Sequence, residues 1–237
     1  MADRLAKRLD LTDEELRFLD SLGAETTRYR RGQVIQRAGE RAGHAYVLKS
    51  GWAVTLSDFP DGSRQVRRLH LPSDLLGMPS MAMQHHVADI EAVSDVVVAP
   101  FRKASLAILI QRYPRLAAIM FMFAQEERVT FGDRLCSLSR LPCKGRMAFL
   151  LMDVLTRLRK VDPEVSFSFE MHLTRAQMGE ITGMTAVHAS RMWSELMAEG
   201  AIGREGEFVT IRDEARLVGL SGFVDRSLDL DFGWLPS

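Results

Sequence analysis

The chain has 237 residues, 46% of them hydrophobic, with 31 basic and 31 acidic side chains and a formal net charge of zero. That length and apolar content suffice for a buried core and most simply for two domains, while a neutral balance gives no global pull toward a polyanion. Two cysteines, Cys136 and Cys143, exclude a disulfide framework or a four-cysteine zinc or iron–sulfur site built from one chain, and favour a reducing compartment.

The N-terminus, MADRLAKRLDLTDEELRFL, reads as an amphipathic helix of mixed charge rather than a signal peptide. Within it, Thr12 and Glu15 form a capping box that starts a second short turn of helix. No apolar run approaches membrane-spanning length, so the expected location is the cytoplasm, with no membrane partner.

From Thr26 to Pro100 turn residues recur every eight to twelve positions: Gly32, Gly39, Gly51, Pro60-Asp61-Gly62, Pro72-Ser73-Asp74 and Gly77. They separate strand-like runs at Ala45 to Leu48, Ala53 to Ser57 and Gln65 to Leu71, a spacing that predicts a double-sheet β-roll. Pro60-Asp61-Gly62 has the chemistry of a hairpin turn.

The period turns helical from about Tyr113, with Pro114 suited to a first helical turn. One stripe is Ala117, Met120, Ala124, Phe131, Leu135 and Leu138; a second, Leu116, Ile119 and Phe123, covers a neighbouring face. Two apolar faces on one helix are needed when it packs on its own domain and on a partner at once, so the first stripe is the expected dimerisation seam across a twofold axis. Burial of the helix within one domain is the alternative. Pro142 ends this helix near Leu141, Gly145-Arg146 opens another running to about Arg159, and KVDPE from Lys160 to Glu164 is a link. Val165, Phe167, Phe169 and Met171 then alternate as a strand. The implied domains are residues 1–112, the roll with its leading helix; 113–141, the long helix and hinge; and 142–237.

Two helix starts follow, separated by a glycine. Thr174 with Gln177 is a capping box, Met178 and Ile181 share an inner face, and Gly183 supplies the sharp turn. Thr185 caps a second helix, whose apolar stripe takes Val187 or Ala189, Met192 or Trp193, and Leu196, and Gly200 follows its end. Ala201 to Arg204, a Glu205-Gly206 turn and Glu207 to Ile211 form a hairpin. Helix, turn, helix and hairpin is the order of a winged DNA-binding domain, giving an α+β chain whose expected partner is double-stranded DNA. The expected DNA face is Thr174, Arg175, Thr185, Ala186, Val187, His188, Ser190, Arg191 and Arg204. Arg191 is pivotal, because an arginine on the second helix can pair bidentately with guanine. Local charge argues the other way, with Arg175, Arg191, Arg204 and Arg212 outnumbered by Glu180, Glu195, Glu199, Glu205 and Glu207.

This order of parts resembles the Crp/Fnr superfamily of bacterial transcription regulators across nearly the whole chain. GQVIQRAGERAGHAYVLKSGWAVTL from Gly32 to Leu56 is similar to the family's opening strands, and HLPSDLLGM from His70 to Met78 to its approach to the effector pocket. LTRAQMGEITGMTAVHASR is similar to its first helix, turn and recognition helix, and the Thr-x-Val-His-x-x-Arg pattern from Thr185 resembles a subgroup common in alphaproteobacteria. The resemblance implies a cyclic-nucleotide-binding-domain-like β-roll, a long dimerisation helix, a winged helix-turn-helix, a homodimer, no enzymatic activity and, for an activator, contact with RNA polymerase. It places the effector pocket at Gly77, Met78, His85 and His86.

Two departures qualify that inheritance. Members that bind cyclic AMP carry Gly-Glu and then Arg-Ser or Arg-Thr. Here Met78 follows Gly77, and Ser80 to Ala92 contains no arginine. A buried cyclic phosphate without a cationic partner is costly, and a histidine is a poor substitute at neutral pH, so the expected effector is not cyclic AMP; a cyclic-nucleotide regulator with an atypical pocket is the alternative. In the recognition helix Val187 stands where relatives of the fumarate-nitrate regulator usually place glutamate, so a cytosine amino group loses its acceptor. With no cysteine before Cys136, the family's N-terminal iron–sulfur cluster is excluded, no cofactor is expected, and haem held through one of the six histidines is the remaining option. Cys136 and Cys143 flank the hinge and read as two small half-buried thiols, a redox pair being the sharper alternative. His85, His86 and Asp89 are the only compact metal-like group, which read with the roll gives a remote cupin-like enzyme; adjacent strand residues pointing to opposite faces argue against it.

Overall fold

A computed structural model describes residues 11–235; the helix expected over residues 1–10 lies outside the described residues. The chain divides into two compact units, Met1–Ala117 and Ala118–Ser237.

The first unit opens with helix α1 (Asp13–Ser21), started by the expected box. Thr12 Oγ1 accepts from the Glu15 amide at 3.2 Å, and Glu15 Oε2 accepts from the Thr12 amide at 2.9 Å. Glu15 is buried and pairs with Arg115 at 3.3 Å, while Phe18 stacks on Tyr113. Eight strands follow: β1 (Thr27–Tyr29), β2 (Val34–Gln36), β3 (His44–Ser50), β4 (Ala53–Asp58), β5 (Arg64–His70), β6 (Leu75–Leu76), β7 (Asp89–Ala92) and β8 (Val96–Arg102). They form two four-stranded antiparallel sheets, ordered β1-β8-β3-β6 and β2-β7-β4-β5. This is the double-sheet roll expected from the turn spacing. Its core joins both sheets, with Leu48, Leu76, Val96 and Val98 from one and Ile35, Ala53, Ile90 and Ala92 from the other. Each fully buried leucine or isoleucine there contributes about 1.5–3 kcal/mol. Pro60-Asp61-Gly62 forms the β4–β5 hairpin tip, closed by Phe59 N–H to the Ser63 carbonyl at 2.9 Å.

Helix α2 (Lys103–Arg112) is followed by the long helix α3 (Pro114–Arg140) and then α4 (Cys143–Val161). The break is confined to Leu141-Pro142, and α4 starts at Cys143, two residues before the expected Gly145, because Pro142 already supplies an extended N-cap. The unit boundary lies at Ala117, not Leu141. Arg134, in the last two turns of α3, donates to the Ile181 carbonyl at 3.0 Å, which ties this end of the helix to the second unit.

In the second unit β9 (Ser168–Glu170) leads into α5 (Arg175–Thr182) and α6 (Ala186–Ala198), then β10 (Ile202–Glu205), β11 (Phe208–Ile211) and α7 (Glu214–Ser221). The wing sheet runs β10-β11-β9. Glu205 pairs with Phe208, so the two-residue turn is Gly206-Glu207 rather than Glu205-Gly206. Gly206, at φ +59°, occupies the position where a primed turn needs positive φ. Helices α5, α6 and α7 all pack on α4, which buries Met147, Ala148, Leu151, Met152 and Leu155 against them.

Candidate nucleic-acid interface

The helix–turn–helix is set by local chemistry. Thr174 Oγ1 accepts from the Gln177 amide at 3.2 Å and Gln177 Oε1 accepts from the Thr174 amide at 2.9 Å, satisfying two orphan donors reciprocally. Gly183, at φ +66°, ends α5. Gly179, which local patterning does not single out, lets the turn close on the helix; a Cβ there would lie 2.5 Å from the Met184 carbonyl oxygen. Thr185 caps α6 by accepting from the His188 amide at 3.2 Å.

Helix α6 buries Ala189, Met192, Trp193 and Leu196, so the inner stripe takes Ala189 and not Val187, and both Met192 and Trp193. Ala186, Val187, His188, Ser190 and Arg191 all face outward. Val187 is 80% exposed, an unusual state for a valine at a helix N-terminus. The Arg191 side chain is 66% exposed, with Nε 3.6 Å from Glu195 Oε1. A solvent-screened pair of this kind holds weakly, so Arg191 can exchange it for a base or a phosphate.

Two of the five acidic residues that outnumber the arginines are held by cations outside the helix-turn-helix. Lys144 Nζ lies 2.9 Å from Glu195 and 2.6 Å from Glu199, and Arg216 lies 2.7 Å from Glu199. The hydrogen bond to Glu199, with the one to Glu195, raises the Lys144 ammonium, and the same Lys144 bond lowers the Glu199 carboxyl. These carboxylates sit in the C-terminal part of α6, where Glu195 also reaches Arg191, while on the wing Glu207 lies 3.8 Å from Arg204; the sequence from Thr185 to Arg191 itself contains no acidic residue.

Arg175 and Arg204 approach one another from α5 and the wing. Arg175 lies over the Trp193 indole, 3.7 Å from the ring centroid, and donates to Met178 Sδ at 3.1 Å. Burial first, and the nearby Arg204 second, bring its pKa down to about 10. Arg204 donates to the Gly206 carbonyl at 2.8 Å. Thr174 and Thr185 are exposed but serve as caps.

Two arginines brace the turn from outside the motif. Arg134 of α3 donates to the Ile181 carbonyl at 3.0 Å, and Arg146 of α4 donates to the carbonyls of Leu141 at 3.0 Å, Thr182 at 3.2 Å and Gly183 at 3.3 Å. Cations at the C-terminal carbonyls of α5 satisfy orphan acceptors and oppose the negative end of the dipole. No local pattern flags them, because each bond spans 36 positions or more outside the hinge itself.

On α3, Leu116, Ile119 and Met122 are buried within the chain. Of the expected seam, Phe131 and Leu135 are each 58% exposed and Ala124 is exposed, whereas Ala117, Met120 and Leu138 are half-buried. Phe121, at 59% exposed, takes the place assigned to Met120. Ala117, Phe121, Ala124, Arg128, Phe131, Leu135 and Leu138 then follow alternating steps of four and three, the spacing of a two-helix seam interrupted by one arginine.

In the roll, Gly77 is buried and faces Gln36 Oε1, which a Cβ at Gly77 would approach to 2.5 Å; Met78 follows half-buried. His85 is exposed and His86 buried on the irregular segment before β7, where His85 makes only an isolated bridge, and the Asp89 carboxylate accepts from the Ala38 amide at 2.6 Å. Among the described residues no group of histidines, cysteines and carboxylates is placed to hold a metal ion, so the ligand set that the cupin-like reading needs does not form. A cation does reach the segment from outside it, as Lys103 Nζ donates to the Met83 carbonyl at 2.8 Å, and the backbone of Arg41 pairs with that of His85. Cys136 is exposed and Cys143 half-buried, both as free thiols.

Two family models match, and together they cover more than half of the chain. Residues 26–113 match the cyclic nucleotide-binding domain and residues 145–220 the Crp-like helix-turn-helix domain. The chain is 25% identical over 214 residues to the transcriptional activator protein anr of Pseudomonas aeruginosa, covering 90% of this chain and 87% of that one. It is 24% identical over 214 residues to the fumarate and nitrate reduction regulatory protein of Escherichia coli, covering 90% and 84%. The solved structure of FixK2 from Bradyrhizobium japonicum superposes with a TM-score of 0.76 at 25% identity, covering 85% of this chain and 98% of that one. No single helix among the described residues is long and apolar enough to cross a membrane.

Proposed function

Because this chain belongs to the Crp/Fnr superfamily of DNA-binding transcription regulators and is not an enzyme, we propose that the outer face of α6 enters the major groove, with Arg191 on guanine and Val187, His188 and Ser190 beside it. The observation that carries this reading is the exposure of Val187 and Arg191 on a helix whose inner face is locked by Ala189, Met192, Trp193 and Leu196. Arg175 and Arg204 supply phosphate contacts from the flanks, and Thr174, Thr185 and Ala186 line the approach. Regulators of this superfamily typically dimerise, and the exposed stripe of α3 from Phe121 to Leu135 is the surface we assign to that contact.

Control is assigned to the roll, through an effector other than cyclic AMP. The support is the Met78 side chain beside Gly77, the arginine-free stretch from Ser80 to Ala92, and the engagement of Lys103 with a carbonyl. An effector or protein partner acts by population shift, biasing the arrangement across Leu141-Pro142 so that two DNA heads match half-sites one helical turn apart. The site of action is the cytoplasm, and an activator of this kind would also touch RNA polymerase.

Selection of bound DNA from a random pool with purified full-length protein tests the reading. The expected product is a two-fold symmetric site with half-sites about 10 base pairs apart, centre to centre, each with a conserved guanine. A pool that fails to enrich overturns the assignment of sequence-specific contacts to α6.

A further inference from the structure

A cleft of about 190 Å³ opens in the second unit, between the last two turns of α3, Phe149 of α4 and the segment that follows α7. Its charged floor is an ion pair: Arg226 Nε and Nη2 lie 2.7 and 3.0 Å from the Asp133 carboxylate oxygens. Arg140, two turns along the same helix, also lines the cleft and makes no ion pair among the described residues. The lining therefore carries one guanidinium in excess of its carboxylate. The lining also has apolar members, Leu141, Val224 and Phe149, and the Phe149 ring is held edge-on by Phe223 at 5.4 Å between centroids.

We propose that this cleft binds a small organic monoanion, its acidic group on Arg140 and its apolar body against Phe149. A charged group held by a guanidinium over an aromatic wall matches both halves of the lining. The volume is below the roughly 300–1,000 Å³ of sites for drug-sized ligands, which restricts the occupant to about one ring or short chain with a single carboxylate or phosphate. The site is compatible with dimerisation. Asp133, Cys136, Ser137 and Arg140 follow helical spacing on one face of α3, whereas Phe131 and Leu135 project from another, so a partner seated on that stripe leaves the cleft open.

The lining comes from both sides of Leu141-Pro142, so an occupant ties the end of α3 to α4, the helix on which α5 and α6 rest. A ligand preferring this arrangement shifts the population toward it. That consequence rests on the DNA-regulator reading above; occupancy of the cleft does not.

Cys136 lines the cleft and Cys143 does not, so alkylation of the full-length protein by iodoacetamide, followed peptide by peptide by mass spectrometry, reads occupancy without DNA. Sodium benzoate in the millimolar range is expected to slow Cys136 alkylation several-fold in a saturable manner while leaving Cys143 unchanged. Benzyl alcohol, of the same shape without the charge, is expected to do neither. Arg140→Gln should abolish protection and Arg140→Lys should keep part of it. Val224→Trp, which fills the cleft, should slow Cys136 with or without benzoate. Equal rates with and without benzoate, equal protection by benzyl alcohol, or protection that survives Arg140→Gln would overturn the proposal. None of those results bears on DNA selection, which is measured separately.

Discussion

Arg175 lies flat over Trp193, its guanidinium carbon 3.7 Å from the indole centroid. The first residue of α5 is thereby stacked on the third turn of α6, and the angle between the two helices is set by packing as well as by the turn. The indole Nε1–H is buried without an acceptor among the described residues, so this tryptophan is held there by its surface rather than by a hydrogen bond.

Trp193→Ala should cost about 3–5 kcal/mol through cavity formation. Trp193→Phe should cost much less, because it also removes a buried donor whose desolvation is worth about 1–3 kcal/mol. Arg175→Ala should cost about 0.5–2 kcal/mol. Urea unfolding followed by circular dichroism measures all three, and a Trp193→Phe loss as large as that of Trp193→Ala would show that the indole N–H has a partner.

Arg191→Ala should lose about 1–3 kcal/mol on a selected operator and less on random DNA. Fluorescence anisotropy on the two DNAs separates the cases: equal losses would make Arg191 a phosphate contact. Val187→Glu should shift the preferred base at one position toward cytosine, since a carboxylate accepts from its amino group.

Leu135→Asp should move the protein toward monomer in light scattering after size exclusion, because it sets a charge at the C-terminal end of the exposed α3 stripe, one turn from Phe131. Operator affinity should fall with it, since a monomer engages one half-site. A dimer of unchanged mass would place the contact on another surface.

Burial holds the His86 imidazole below the ordinary 6.5, with His44 and Lys103 adding to the fall and Glu40 opposing it. The unfolded chain therefore takes up this proton first on acidification, and stability is lost as pH drops below about 6.5 toward the lower folded-state value. Comparing urea midpoints at pH 7.5 and pH 5.5, His86→Gln should show a smaller acid-induced loss than the wild type. An identical loss would mean that other groups account for it.

Millimolar cyclic AMP should leave the melting temperature unchanged, since ligand binding to the folded state alone would raise it. A clear upward shift would mean that a cation from outside Ser80–Ala92, such as Lys103 or Arg41, holds the cyclic phosphate.

Sequence by itself determined the parts whose physics is local. Both capping boxes act over three residues, the glycine and proline turns act over two to four, and strand and helix periods are read within a single element. The roll, the long helix and the α5–turn–α6 boundaries were accordingly legible. Tertiary structure decided what depends on groups far apart in the chain. Lys144 and Arg216 take up Glu195 and Glu199, which lowers the weight of two of the five acidic residues counted against DNA. Arg134 and Arg146 secure the turn, and with that the end of α3 joins the DNA-binding unit. Helical periodicity offered Val187 or Ala189 as alternatives two residues apart, and placed Met120 rather than its neighbour Phe121 on the seam. Only the packing around each helix, which fixes its rotation, turned Val187 and Phe121 outward.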